Sequence, residues 1–453
     1  MTPLHFRRYA ASRAHQARAH RAVPGGAHTY AKGDDQMPEA MPIVIERGRG
    51  ALVWDLDGNE YVEYGQGLRS VTLGHAEPRV TAAATAWLGR GSNFSRPAQI
   101  ELQAAETFLD LIPGAERVKF CKDGSSATTA AVKLARAATG RTLVARCADH
   151  PFLSQDDWFM GQTPLGAGVP EAVRALTVSF PYGSLDALRD LFDRHPAQVA
   201  CVVMEPVRGP EDPGDYLRAV ADLCRAAGVV FVLDEMITGF RWSARGAQGL
   251  YDVVPDLSAF GKALGNGHSV SALAGRADLM DLGGFADGGP HVFLLSSTHG
   301  AETHALAAAV ETMRIGRDED VAGRLMRQGR RLREGVTAAA EDAGVADRWE
   351  VSGRDCNLVY STRDADGQPS QPFRTLFLQE LVRRGVLAPS FVITTAHDDA
   401  VVDRTVDAVA GALRVYARAL DAGSVEGLLV GRPVRPVFRP SAPSLLTDLP
   451  ALS

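Results

Sequence analysis

Two uninterrupted apolar runs, residues 199–204 and 229–233, flank the segment DYLRAVADLCRAAG. Runs of five or six β-branched and apolar residues without alternation suit strands buried on both faces of a sheet. The segment between them carries apolar residues at helical spacing and stops at Gly228. Strand, helix and strand in this order define a βαβ unit, and a βαβ unit requires a parallel pairing. A further β-branched run at 142–145 extends the pattern. The sequence therefore predicts an α/β fold with a mainly parallel central sheet.

Around this centre the pattern changes. The stretch IVIERGRGALVWDLDGNEYVEY, close to 43–63, predicts a hairpin turning at Asp57-Gly58-Asn59. After residue 305 come two helical stretches, ALAAAVETMRIG and 320–343, and then the strand-like NLVY and VLAPS. These signals divide the chain into four parts. Residues 1–75 are an N-terminal helix and hairpin that join a small domain. Residues 76–315 form the large α/β domain, 316–425 a C-terminal α+β part, and 426–453 a Pro-rich tail. The first 33 residues hold no acid but include Arg7, Arg8, Arg13, Arg18 and Arg21. Without an apolar core after them, the expectation is a helix, with a transit peptide as the alternative.

Composition narrows the function classes. A formal net charge of −6 does not predict nucleic-acid binding as the main business, and no apolar run reaches membrane-spanning length. Cys121, Cys147, Cys201, Cys224 and Cys356 are scattered, without a CxxC spacing. That predicts neither disulfides nor a metal site, and a reducing, cytoplasmic setting.

The chemistry gathers in two segments. VVFVLDEMITGFR ends a buried strand at Asp234, and PDLSAFGKALGNG sets Lys262 among glycines just past another apolar run. An acid at one strand's carboxyl end and a lysine past a neighbour fall in the crevice where open α/β sheets bind ligands. A helix cap or surface ion pair is the ordinary alternative for Asp234, but a carboxylate closing five apolar residues is costly without a partner. For Lys262 the ordinary alternative is a solvated amine; the glycines argue for a backbone held close to a ligand. A third segment, FCKDGSSATTAAVKLARAATG, opens a helix of small residues at Gly124-Ser125-Ser126. A helix start of this kind is an anion site, or simply a serine cap.

Together the segments KDGSS, DEMITGFR and FGKALGNG resemble class III aminotransferases of pyridoxal-phosphate (PLP) fold type I. The similarity is greatest to members like glutamate-1-semialdehyde aminomutase, and it spans PGGAHTY to APSFVITTAH. The resemblance implies PLP as cofactor, Lys262 as its Schiff-base lysine and Asp234 as partner of the pyridine nitrogen. It implies that Gly124 and Ser125 bind phosphate, where the helix start lets Ser126 add a second hydroxyl donor, and that a homodimer completes the phosphate site through Ser297 or Thr298 of LLSSTHGAETHALAAA. It also implies a small domain built from both chain ends.

The departures bear on substrate. Where the family has a Tyr-His turn, this chain has CADHPFLSQDDWF, leaving His150 or Phe152 to stack on the cofactor ring. Lys32 stands where the aminomutase has an arginine for the substrate carboxylate, and lysine lacks arginine's bidentate fork. GLRSVTLGH brings Leu68 in place of a tryptophan, with a new cation, Arg69; APSFVITTAH lacks the aminomutase's glutamate. Arg69 and Arg96 are candidate anchors for a carboxylate, hydroxyls or a phosphate, or else members of surface ion pairs. Glu205, ending VVMEP, either supports the site or caps a strand end.

The expected function is thus transfer of an amino group from an amino-acid donor to a carbonyl acceptor, of sugar or specialised-metabolite type. An intramolecular aminomutase and a non-catalytic protein of PLP fold are the alternatives.

Overall fold

A computed structural model describes residues 8–207, 212–284, 291–300 and 302–438. Three strands open the chain: β1 (Ile45–Arg49), β2 (Leu52–Asp55) and β3 (Glu60–Glu63). Seven follow: β4 (Arg117–Cys121), β5 (Leu143–Cys147), β6 (Thr177–Phe180), β7 (Val199–Met204), β8 (Val230–Asp234), β9 (Leu257–Phe260) and β10 (Ser271–Gly275). The last are β11 (Trp349–Arg354), β12 (Asn357–Thr362), β13 (Val386–Leu387) and β14 (Phe391–Val392).

The central sheet has the order β4-β10-β9-β8-β7-β5-β6. Its pairs β6/β5, β5/β7, β7/β8 and β8/β9 are parallel; β10 runs antiparallel to both β9 and β4. The expected α/β fold with a mainly parallel sheet is what forms. β7 is buried at all six positions because both faces are covered. Val199, Val202 and Met204 pack on one side with Leu217, Val220 and Cys224 of the helix Gly214–Ala227. Ala200 and Val203 pack on the other with Ala127, Ala131 and Leu134 of the helix Gly124–Thr139. Gly228 ends the crossover helix at φ 61°, a left-handed cap that costs glycine little.

The expected hairpin is a three-stranded antiparallel meander. Its second turn lies where Asp57-Gly58-Asn59 predicted it, with Gly58 at φ 78°. Val386 of β13 pairs in parallel with Val62 of β3, so both chain ends share one sheet, as the fold class implied. β12 pairs antiparallel with β11 and β14 in a small third sheet. The Arg-rich segment forms a helix, Ala10–Ala22; Arg7, and the tail beyond residue 438, lie outside the described residues. Among the described residues no helix is long and apolar enough to cross a membrane, and all five cysteines are buried free thiols.

Candidate active site

Strand direction builds the site. β7, β8 and β9 are parallel neighbours, so their carboxyl ends lie side by side and deliver Glu205, Asp234 and Lys262 to one edge of the sheet. β4, reversed twice relative to β9, ends on the same edge at Cys121 and passes into the helix Gly124–Thr139. The loop after β5 brings in Phe152. A cavity of about 340 Å³ is lined there by Gly124, Ser125, Phe152, Glu205, Asp234 and Lys262. A larger cleft, about 520 Å³, lies between Arg49, His75, Arg79 and Arg324 and contains none of these groups.

Asp234 is 3% exposed, and its Oδ1 accepts the Met236 N–H at 2.9 Å. Burial pushes its carboxyl up to about 6, against the pull of the Lys262 amine. The adjoining Glu235 serves the scaffold instead: it accepts the Ala247 and Gln248 N–H groups at 2.9 and 2.7 Å. Lys262 opens only partly, onto the cavity, and sits in the left-handed region at φ 44°. Burial lowers its amine's pKa; the Asp234 and Glu205 carboxylates work the other way, and the Arg69 and Arg241 guanidiniums add to the lowering. The preceding Gly261 has no room for a side chain, since a Cβ there would stand 2.5 Å from Ser271 Oγ and 2.7 Å from Met236 Sδ.

At the helix start the N-cap is Asp123, not a serine. Its carboxylate accepts the Ser126 N–H and hydroxyl, each at 2.9 Å, which turns Ser126 away from the cavity. Ser125 lines the cavity, and its Oγ accepts the Gln155 N–H at 3.0 Å. Of the two candidate rings, Phe152 lines the cavity, whereas His150 lies behind it and accepts the Glu205 N–H through Nδ1 at 3.1 Å.

Other candidates stand apart. Lys32 and Arg96 are exposed and do not line the cavity. Ser297 and Thr298 are exposed as well, with the Thr298 carbonyl accepting from Asn93 Nδ2 at 2.9 Å. Arg69 does not itself line the cavity, but its neighbour Ser70 does; it is half-buried and close enough to Glu205 and Lys262 for their charges to interact.

Two residues escaped the reading of the sequence. Asn266 Oδ1 accepts the Thr72 and Leu73 N–H groups at 2.9 Å, and its Nδ2 donates to the Gly74 carbonyl at 3.1 Å. Arg241 is fully buried and donates to the carbonyls of Ile393, Arg69 and Val71. The signals were present, Asn266 between two glycines and Arg241 closing an apolar segment, but their partners are 150 residues or more away.

The Aminotransferase class-III family model matches residues 30–409. The glutamate-1-semialdehyde 2,1-aminomutase of Chloroflexus aggregans is 33% identical over 438 residues, covering 89% of this chain and 97% of that protein. An omega-transaminase from Sphaerobacter thermophilus superposes with a TM-score of 0.81 at 27% identity, over 90% of this chain and 98% of that one. The FumI protein of Sphingopyxis sp. MTA144, solved in a PLP form, gives 0.83 at 26% identity, over 92% and 99%. With the family model spanning most of the chain and a full-length relative one-third identical, this chain belongs to the class-III aminotransferases.

Proposed function

We propose that this protein is a PLP-dependent aminotransferase moving an amino group from an amino-acid donor to a carbonyl acceptor. The observation that carries the reading is the meeting of Asp234 and Lys262 in one cavity with the helix start at Gly124-Ser125. The residues fit the cofactor group by group. A buried carboxylate suits a protonated ring nitrogen, a buried amine of lowered basicity suits an aldehyde, and a helix N-terminus suits a phosphate. When bound, PLP supplies an electron sink for charge developing at the substrate's α-carbon.

The chain's own groups do the rest. Lys262 would hold the cofactor, and its amine is the group placed to move the α-proton. Asp234 would favour a positive charge on the ring nitrogen, Gly124 and Ser125 would hold the phosphate, and Phe152 would offer a flat face. In a homodimer, Ser297 or Thr298 of the partner subunit completes the phosphate site; their exposure outside their own cavity supports this. The buried thiols suit a reducing, cytoplasmic setting. We assign the acceptor to polar ketones or aldehydes of sugar or specialised-metabolite type, since Lys32 stands in place of a carboxylate-clamping arginine.

The relatives named glutamate-1-semialdehyde 2,1-aminomutase favour a second reading, intramolecular amino transfer. The experiment separates the two. The cofactor-loaded enzyme is mixed with an amino donor, freed of small molecules and scanned. Conversion of the visible absorbance to a near-ultraviolet band, reversed by a carbonyl acceptor, supports transamination. No response to any donor, with isomerisation of a single amino aldehyde, supports the aminomutase.

A further inference from the structure

Among the described residues, the guanidiniums whose charge reaches the Lys262 amine are those of Arg69 and Arg241. Arg241 is committed to the scaffold. It is fully buried, its Nη1 donates to the Ile393 carbonyl at 2.8 Å, and its Nη2 donates to those of Arg69 and Val71 at 3.0 and 2.7 Å. Arg69 is not so committed. Its Nε donates to Asn357 Oδ1 at 2.9 Å, and its Nη2 makes one long contact, 3.5 Å, with Ser390 Oγ. A guanidinium has five N–H donors, so the outer edge of the fork remains for a ligand.

The backbone presenting Arg69 is held in an unusual form. Gln66, Gly67, Leu68 and Arg69 run consecutively at φ 46°, 57°, 57° and 73°. Three of the four bear side chains that disfavour this region. The turn is nevertheless pinned at both ends: Glu63 accepts the Gln66 N–H at 2.7 Å, and Arg241 grips the Arg69 and Val71 carbonyls from below. Strain enforced by surrounding contacts marks places where side-chain direction matters. Directly after it, Ser70 lines the cavity.

We infer that Arg69 docks a carboxylate of the amino-acid substrate, with Asn357 and Ser390 as positioning residues; this rests on the aminotransferase reading above. Geometry selects the ligand class: a carboxylate brings two acceptor oxygens and one negative charge to one guanidinium fork, while the helix start at Gly124-Ser125 on the same cavity is the place suited to a phosphate. Lys32 and Arg96 are exposed, whereas Arg69 is half-buried beside Glu205 and Lys262. Because Asn357 opens β12 and Ser390 precedes β14, the anchor is set by the C-terminal part of the chain while Lys262 hangs from the central sheet.

The test uses the cofactor-loaded enzyme and matched pairs of amines differing only in the carboxylate: phenylalanine with 2-phenylethylamine, and alanine with ethylamine. The rate of cofactor conversion is followed by absorbance. Wild type should favour the acid of each pair. R69M should lose about 10- to 100-fold in kcat/KM for the acids, the value of hydrogen bonds to a charged group, and change little for the amines. N357A should show a weaker copy of that pattern, and R69K should restore part of the loss. Equal loss for acids and amines in R69M would assign Arg69 to holding the loop and overturn the inference, as would no loss in either. Wild type converting no amino compound at all would overturn the aminotransferase reading, and the inference with it.

Discussion

Asn266 accepts the Thr72 main-chain N–H at 2.9 Å and so ties the loop that carries Lys262 to the segment leading out of the Arg69 turn. The same Oδ1 takes the Leu73 N–H, and Thr395 contacts this segment from the C-terminal part, its N–H donating to the Thr72 carbonyl at 3.0 Å. One amide side chain thereby fixes Lys262 against the wall of its own cavity. Asn266→Ala leaves two buried N–H groups without acceptors, a cost of about 2–6 kcal/mol at 1–3 each. The expected outcome is a clearly lower thermal midpoint for the apoenzyme, with cofactor binding weakened alongside. An unchanged midpoint, read by circular dichroism, would mean the loop is held by other contacts.

In the proposed mechanism, Lys262→Ala removes both the covalent attachment and the proton-moving amine. Turnover should fall below detection, and the cofactor should be lost on dialysis, since the phosphate and ring contacts remain but the bond to protein does not. The check is the visible spectrum before and after dialysis against buffer. A variant that keeps wild-type rates removes Lys262 from the mechanism.

Asp234→Asn keeps the shape and the acceptor for the Met236 N–H but removes the charge that, in the proposed mechanism, pairs with the ring nitrogen. The loss of one buried charge-assisted interaction, about 1.5–3 kcal/mol, predicts kcat lower by about 10- to 100-fold with substrate KM little changed. Steady-state kinetics decide it. If KM rises while kcat holds, Asp234 is shaping the substrate pocket rather than the cofactor.

Much of this architecture was legible in the chain, for reasons particular to each element. β7 and β8 could be read because a strand covered on both faces must be apolar at every position, and Val199 to Met204 has no polar interruption. That Asp234 ends its strand follows from the same logic, since it is the first polar residue after the apolar run 229–233. What could not be read depends on distance along the chain. The pairing of Val62 with Val386 leaves no local signal, nor does the grip of Arg241 on the Val71 carbonyl. His150 Nδ1 accepts the Glu205 N–H, whereas Phe152 lines the cavity, and neither contact leaves a signal in the local sequence. Spacing alone places both rings equally well.

The Lys262 amine gives a pH prediction whose sign follows from its surroundings. Burial disfavours the ammonium form, which lowers the pKa from the ordinary lysine value of about 10.4. The neutral, nucleophilic amine is therefore populated at lower pH than on a free lysine. Capture of the cofactor by apoenzyme should accelerate as pH rises, with its inflection below about 10.4. Asp234 opposes this shift, because its carboxylate stabilises the ammonium. Removing that charge in Asp234→Asn should move the inflection further down, although the same substitution slows turnover. The growth of visible absorbance after mixing apoenzyme with cofactor, recorded across pH, measures both. An inflection at or above the ordinary lysine value, or an upward move in Asp234→Asn, would mean that solvent rather than the buried Asp234 pair governs the amine.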